Sequence, residues 1–295
     1  MSLGLEPELL HWHGRPDVSL VLLTLGSLYA VGWWRLRRLG HRRLASAGRL
    51  AAYLGGLAAV AVALLSPLER LADLLFTAHM VQHQILLMVA PPCLLLGNPF
   101  PFVLWGVPRR LRRAVQRALT EGSRLRRTQR LLTWLPVAGP LYTGNLWLWH
   151  LPAAYEAALR HPLVHDVEHL AFFTAAVLFW WPIVNPAPRR RWPRGGLYYG
   201  VRIAYLVLAT AQNTLLGAII ALTERVLYPS YGAGSGLFGL SPLDDQAFGG
   251  GIMWSGGHMY LIAILILLWQ AMGSDGREAA TPAAKVPLRR DRVEW

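Results

Sequence analysis

The chain has 295 residues, of which 54% are hydrophobic and 15% are charged, and its mean hydropathy is +0.33. Soluble domains carry about 25% charged residues, so this composition excludes an ordinary soluble domain and indicates a polytopic membrane protein. The net charge of +13 does not indicate nucleic-acid binding, because the arginines are concentrated between apolar stretches, where cytoplasmic positive charge orients membrane helices. Cys93 is the only cysteine, which excludes an intrachain disulfide and a CxxC metal site.

Seven apolar stretches are predicted to cross the membrane as helices, because about 20 apolar residues span the hydrocarbon core of a bilayer. The third contains Pro91 and Pro92, which should kink it or end its regular part, because proline lacks a backbone N–H and clashes with the preceding turn. Together the seven spans form a membrane domain over residues 18–272. In chain order they are residues 18–34, 50–66, 72–97, 131–150, 163–184, 197–222 and 250–272.

The remaining segments have their own signatures. Residues 1–17 contain no basic region followed by a cleavage site, so we expect an extracytoplasmic segment and insertion by the first span. Residues 98–108 are apolar but too short to cross, which indicates an interfacial or re-entrant piece. Residues 109–130 carry nine arginines and are predicted to form an amphipathic surface helix against anionic lipid headgroups. Residues 273–295 are polar and basic, and we expect a disordered tail.

The distribution of arginine predicts the orientation of the bundle. The loops after spans one, three and five and the C-terminal tail are rich in arginine, whereas the N-terminus and the other loops hold few basic residues. By the positive-inside rule, the N-terminus lies outside and the C-terminus lies in the cytoplasm. The predicted fold is therefore an all-α polytopic membrane bundle of seven transmembrane helices.

This orientation collects histidines in the outer half of the bundle. His79 and His83 are four residues apart in span three, so they share a helix face, roughly 10–16 Å below the outer surface. His165 and His169 repeat that spacing at the outer end of span five. Ionisable side chains inside a membrane are costly and mark functional sites. Because these pairs lie at similar depth, we expect one metal site or two close ones.

Further candidate ligands lie at the same predicted level. His150 ends span four, and His258 lies about 12 Å inside span seven. Asp166 and Glu168 lie between the two histidines of the second pair, where a carboxylate could orient an imidazole by accepting its second N–H. Imidazole combined with thioether suits copper, and Cu(I) in particular; the thioethers at this level belong to Met80 and Met259. A membrane histidine often only hydrogen-bonds a neighbouring helix, and this alternative applies most to His150 and His258.

Five motifs follow one another between residues 50 and 272: HMVQH at 79–83, WLWHLP at 147–152, HDVEH at 165–169, FWWP at 179–182 and GGHM at 256–259. In this combination they resemble the CtaG family of cytochrome c oxidase assembly factors, in its multi-span form. The resemblance implies a seven-span protein of the bacterial plasma membrane that helps to build haem–copper oxidase. It implies cytochrome c oxidase subunits as partners and copper as cargo. The family's histidines carry over to His79, His83, His150, His165, His169 and His258.

Two other functions remain open from the sequence. A b-type haem protein is one, since two histidines on facing helices can ligate one iron axially. A copper transporter is the other, although a transporter should place polar groups in both halves of the membrane and the cytoplasmic half here has few. We expect no enzymatic activity. A retinal-type photoreceptor is excluded, because Lys285 is the only lysine and lies outside the predicted spans.

Overall fold

The computed structural model describes residues 12, 14–118, 120, 122–184, 196–234 and 237–279. Throughout these residues the regular structure is helical, and they contain no strand. A π-helix at Ile85–Val89 joins α4 to α5, and two 3₁₀ turns, Pro229–Gly234 and Leu237–Gly239, precede α13. The α-helices are α1 Pro16–Arg38, α2 Ala47–Leu65, α3 Pro67–Leu74, α4 Phe76–Gln84, α5 Ala90–Leu96, α6 Pro99–Gly106, α7 Arg109–Ala118, α8 Arg124–Leu132, α9 Leu135–Trp149, α10 Pro152–Arg160, α11 Pro162–Val184, α12 Gly196–Leu222, α13 Pro242–Gly256 and α14 His258–Ala279.

Six helical segments of the described chain are long and apolar enough to cross a membrane, and they correspond to every predicted span except the fourth. The fourth is α9, which has 15 residues and is therefore only about 22 Å long. The all-α membrane fold is confirmed, whereas the count of seven and the orientation stay predictions. Most of the predicted N-terminal segment and C-terminal tail lies outside the described residues. The six segments are Pro16–Arg38, Ala47–Leu65, Phe76–Leu96, Pro162–Val184, Tyr199–Leu222 and Pro242–Trp269.

The third span is regular only from Phe76 onward. Leu75 adopts an extended conformation and separates α3 from α4, so the helix that carries the first histidine pair starts later than the predicted residue 72. Directly after α4, the π-helix Ile85–Val89 widens the backbone, a feature that often occurs at functional sites. Pro91 cannot donate to the Leu87 carbonyl, and the indole Nε1 of Trp180 donates to it instead at 2.9 Å. This bond fixes α11 against the third span.

The basic segment 109–130 folds as two helices, α7 and α8, rather than as the single predicted helix. The hydroxyl of Ser123 accepts the backbone N–H of Arg126 at 3.2 Å, which caps α8 and marks the boundary. None of the residues of α7 and α8 is buried. The neighbouring apolar segment, predicted to be interfacial or re-entrant, forms α6 and lies against α1.

Helices α1, α2 and α6 enclose a small core of their own beside the main one. The ring of Tyr29 stacks on Tyr53 with centroids 3.9 Å apart, and the Tyr29 hydroxyl donates to the Gly97 carbonyl at 2.6 Å. Glycine allows α1 and α6 to touch through their backbones, since a Cβ on Gly106 would lie 2.1 Å from the Leu28 carbonyl oxygen.

Replacing Gly106 with alanine should therefore force α6 away from α1. We expect a loss of about 1–3 kcal/mol, the usual cost of inserting a carbon into a packed contact, measured as the free energy of unfolding in detergent. Gly55→Ala is the matched control, because a Cβ there meets nothing within 4 Å, and it should leave stability equal or slightly higher. Equal destabilisation by both variants would contradict the close contact.

Helix α13 begins at Pro242, well before the predicted start of span seven at residue 250. Ser241 and Asp244 form a capping box, in which the Ser241 hydroxyl accepts the Asp244 N–H and the Asp244 carboxylate accepts the Ser241 N–H. The earlier start places His258 about 24 Å along the combined α13–α14 segment, rather than the 12 Å expected from the sequence. His258 therefore lies farther from the start of its helical segment than predicted.

The start of α13 also fixes the start of α4. The buried carboxylate of Asp245 accepts the backbone N–H groups of Phe76 at 2.7 Å and Thr77 at 3.0 Å. The Thr77 hydroxyl donates to the Asp245 carbonyl at 3.0 Å. These bonds satisfy N–H groups that have no partner within the first turn of a helix, and they set the depth and rotation of the helix that carries His79 and His83.

Candidate metal centre

Histidines of α4 and α11 meet inside the main core. The ring centroids of His79 and His83 are 4.3 Å apart, and those of His165 and His169 are 4.1 Å apart. Between the two helices, the ring centroids of His79 and His165 are 5.2 Å apart, and those of His83 and His169 are 5.4 Å apart. Three of the rings are buried, whereas His165 is half-buried. The structure thus brings the two predicted pairs into one cluster, which we call the histidine cluster.

The ligand atoms of this cluster lie close enough to hold an ion. His79, His83 and His169 offer one group of atoms within 4.8 Å of one another, and His79, His165 and Glu168 offer a second. A tetrahedral ion about 2.0–2.1 Å from each imidazole nitrogen would hold its ligands about 3.4 Å apart, so small side-chain rotations suffice. His79 belongs to both groups, and its Nε2 lies 2.9 Å from the Nε2 of His83.

Several polar atoms of the cluster have no hydrogen-bond partner among the described residues. They are His83 Nδ1, His169 Nε2 and both carboxylate oxygens of Glu168. Buried polar atoms are almost always paired, and leaving one unpaired costs about 1–3 kcal/mol. The Glu168 side chain is fully buried, and its Oε1 is 3.9 Å from His83 Nε2. Unpaired imidazole and carboxylate lone pairs at one place are the donor set that a metal cation requires.

Two tyrosines, Tyr231 and Tyr155, lie beside the histidine cluster, and no sequence motif had indicated their role. The Tyr231 hydroxyl lies 2.7 Å from His79 Nδ1, which leaves Nε2 as the nitrogen of His79 that faces His83. Tyr155 lies 2.9 Å away from Tyr231, hydroxyl to hydroxyl. Burial raises the pKa of Tyr231 well above its usual range, so its hydroxyl stays neutral. Tyr155 lies three residues after the WLWHLP motif. Tyr231 lies in a glycine-rich loop without a recognisable signal.

Tyr231→Phe should weaken metal binding while the fold is retained. Loss of the hydroxyl frees the His79 ring to change tautomer and orientation, and removal of such a supporting partner typically lowers metal affinity 10–100-fold. Metal titration of the purified protein measures the change. Tyr228→Phe is the control, since the Tyr228 hydroxyl donates to the His150 carbonyl at 2.9 Å and supports no cluster nitrogen. Unchanged affinity in Tyr231→Phe would show that the hydroxyl does not orient His79.

His150 lies beside the histidine cluster rather than within either group of potential ligands. Its ring is buried, with the centroid 6.3 Å from that of His83. Its Nδ1 is 2.7 Å from the Leu146 carbonyl oxygen, and its Nε2 has no partner among the described residues. Ligation by His150 therefore stays a prediction and would need a rotation of its side chain.

Other predicted ligands lie elsewhere. His258 is exposed, and its Nδ1 contacts the Ser255 carbonyl. Met259 lines a separate cavity with Cys93. Met80 is fully buried, but its side chain lies beside Gly249 of α13. The described contacts of Met80 and Met259 thus lie away from the imidazole and carboxylate groups of the histidine cluster. Helical geometry explains why the Met80 side chain points away from the histidine cluster, because adjacent residues of an α-helix are rotated by about 100° around its axis.

A second cavity, of about 310 Å³, opens at the end of the bundle where α11 begins, and His165 forms part of its wall. Acidic residues surround it. Asp166, predicted to orient an imidazole, instead forms an ion pair of 2.6 Å with Arg15. Burial raises the pKa of Glu69 to about 7. We call this space the outer vestibule, because the predicted orientation places it on the outer side of the membrane. Its lining residues include Arg15, Glu69, Asp73, Pro162, His165 and Asp166.

Comparison with known proteins agrees with the resemblance seen in the motifs. The family model described as cytochrome c oxidase caa3 assembly factor (Caa3_CtaG) matches residues 27–274. Uncharacterized proteins of Mycobacterium bovis and Mycobacterium tuberculosis are 27% identical over 276 residues, and one of Mycobacterium leprae is 25% identical over 272. These alignments cover 87–88% of this chain, which spans only 38–39% of the length of those relatives. No solved structure matches the chain.

Proposed function

Because this chain belongs to the cytochrome c oxidase caa3 assembly factor family, we propose that its histidine cluster binds copper and delivers it to an oxidase subunit. The role is non-catalytic, because the ion is cargo that becomes part of another protein. We assign the protein to the bacterial plasma membrane, with the cluster in the outer half. One observation carries the proposal. The rings of four histidines contact one another, and buried imidazole nitrogens and carboxylate oxygens of the same cluster lack hydrogen-bond partners among the described residues.

The donor atoms favour a transition metal. Imidazole suits zinc, copper, iron and nickel, whereas magnesium and calcium require mainly oxygen ligands. One carboxylate, that of Glu168, stands among the imidazoles. Copper is the member of this set that a haem–copper oxidase incorporates outside its haem groups. Because Met80 and Met259 face elsewhere, the preference for Cu(I) expected from thioether ligands no longer follows, and the proposal covers both oxidation states.

Haem is a poorer occupant of the same histidines. A haem with two axial imidazoles separates them on opposite faces of a wide, flat ring. In the histidine cluster, neighbouring rings contact one another directly at interplanar angles of 55–88°. His79 and His83, in particular, have their Nε2 atoms 2.9 Å apart, which leaves no gap for a macrocycle between them. A single ion fits this arrangement better.

The outer vestibule offers a route between the cluster and the exterior. His165 borders both spaces, and it is the least buried of the four histidines. Carboxylates in the wall attract a cation, and the Arg15–Asp166 ion pair covers the same end. An oxidase subunit that docks at this end could receive copper without its passage through the cytoplasmic half of the bundle. This one-sided access favours a delivery protein over a transporter.

The experiment is complementation of a bacterium that lacks its own family member. Wild type and His258→Ala should restore oxidase activity and the copper content of the purified oxidase, measured per haem. His79→Ala should restore neither, although immunoblots show equal amounts of each variant in the membrane. Full restoration by His79→Ala would refute delivery through the cluster. If the oxidase purified from the His79→Ala strain contains haem but lacks copper, the defect lies in copper delivery and not in oxidase folding.

A further inference from the structure

We propose that a basic cavity between α1, α6 and α7 binds the phosphate of an anionic phospholipid. The cavity has a volume of about 590 Å³ and lies at the end of α1, and its lining contains no residue of the histidine cluster. It is independent of copper binding and of the family assignment. Among the described residues, its polar lining consists of arginine with indole rings beside it, and includes no carboxylate. The lining residues of this kind are Trp34, Arg35, Arg38, Trp105, Arg109 and Arg112.

The arginines of this cavity are held in position before any ligand arrives. The Arg38 guanidinium lies 4.0 Å from the Trp34 ring centroid, and the Arg112 guanidinium lies 4.2 Å from that of Trp105. Stacking uses the flat face of a guanidinium and leaves its N–H groups free to donate in the plane. Two such groups can bind phosphate oxygens through charge-assisted, bidentate hydrogen bonds. Less conformational entropy is lost on binding because the side chains are already ordered.

Arg35 has a different part in the cavity. Its guanidinium donates to the Trp105 carbonyl at 2.8 Å, so it joins the end of α6 to the last turn of α1. This contact fixes the position of Trp34 relative to Trp105 in the lining of the cavity. We therefore assign phosphate binding to Arg38 and Arg112, and structural support of the cavity to Arg35.

The position of the cavity indicates a lipid rather than free phosphate. It lies at the end of an apolar span, where tryptophan rings commonly mark the headgroup level. Its walls include exposed apolar side chains, those of Trp34 and Leu39, which free phosphate would not use but a glycerol backbone and acyl chains would cover. In the predicted orientation this end faces the cytoplasmic leaflet, which carries anionic lipid. A bound headgroup would join Arg38 of α1 to Arg112 of α7 and so fasten the basic helix to the bundle.

The test uses the full chain in a neutral detergent, with phosphatidylglycerol or phosphatidylcholine added and bound lipid counted by native mass spectrometry. Wild type should retain one phosphatidylglycerol and no phosphatidylcholine. Arg38→Gln/Arg112→Gln should lower the affinity about 100-fold, as expected for two lost charge-assisted hydrogen bonds. Arg110→Gln/Arg113→Gln removes the same charge from exposed positions of α7 outside the cavity, and it should change the affinity less than about threefold.

Three outcomes would overturn the proposal. If the two double glutamine variants lose affinity for phosphatidylglycerol equally, the lipid is attracted to the basic segment as a whole. If wild type retains phosphatidylcholine as well as phosphatidylglycerol, the lipid only solvates the protein surface. Displacement of phosphatidylglycerol by equimolar inorganic phosphate would mean an anion site without lipid selectivity. Arg38→Lys/Arg112→Lys guards against misfolding of the glutamine variant, because it keeps the charge and should bind with intermediate affinity. Circular dichroism spectra of all variants should coincide.

Discussion

Replacing His79 with alanine is expected to abolish stoichiometric copper binding. His79 belongs to both groups of potential ligands, so its loss leaves neither group with three donors. We expect the copper affinity to fall at least about 100-fold, beyond the 10–100-fold effect of losing a supporting partner. Copper per chain, measured by mass spectrometry after dialysis against a competing chelator, tests this.

The matched control for this substitution is His258→Ala. His258 is also a histidine within a membrane segment, but its side chain is exposed, and the copper content should equal that of wild type. Copper retained by His79→Ala would contradict the site, and copper lost equally from both variants would indicate adventitious binding to histidines in general.

Asp245→Ala should be the most destabilising substitution of a single polar side chain near the site. It leaves the buried N–H group of Phe76 and the half-buried N–H group of Thr77 without their acceptor. Each unsatisfied buried group costs about 1–3 kcal/mol. We expect a loss of about 2–4 kcal/mol in the free energy of unfolding, together with weaker copper binding, because α4 loses its fixed start.

Asp244→Ala controls for the neighbouring carboxylate. Asp244 is exposed and closes the capping box of α13, so its loss should cost about 1 kcal/mol or less. Copper affinity should then be unchanged. If the two substitutions destabilise the protein equally, Asp245 does not set the position of α4 in the way that its hydrogen bonds indicate.

Apolar length was enough to predict the all-α membrane fold, because a helix that crosses a bilayer needs about 20 apolar residues. The orientation inferred from arginine placement stays a prediction. The i, i+4 spacing of His79–His83 and His165–His169 predicted two shared faces. It could not establish that the faces meet, since contact between α4 and α11 depends on packing across 80 or so residues of chain. The Trp180–Leu87 bond holds α11 against the third span because Pro91 leaves the Leu87 carbonyl free, but the sequence does not show which side chain donates to that carbonyl.

The errors have local physical causes. His258 was placed at the level of the cluster because the capping box at Ser241–Asp244 was not recognised, so span seven was started too late. Met80 was counted as a neighbour of the cluster by sequence distance, although the helical rotation of one residue turns it toward Gly249. Tyr231 was missed because its role comes from a loop that folds over His79, and loops carry no periodicity.

X-ray absorption at the copper edge of the loaded, full-length protein tests the central claim most directly. We expect nitrogen or oxygen ligands about 2.0 Å from copper. The spectrum should also show scattering from the outer atoms of at least two imidazole rings and no scattering from a sulfur ligand. These features should disappear in His79→Ala. A sulfur shell near about 2.3 Å, which would place copper at Cys93 or the methionines, or the absence of imidazole scattering, would contradict the histidine cluster as the copper site.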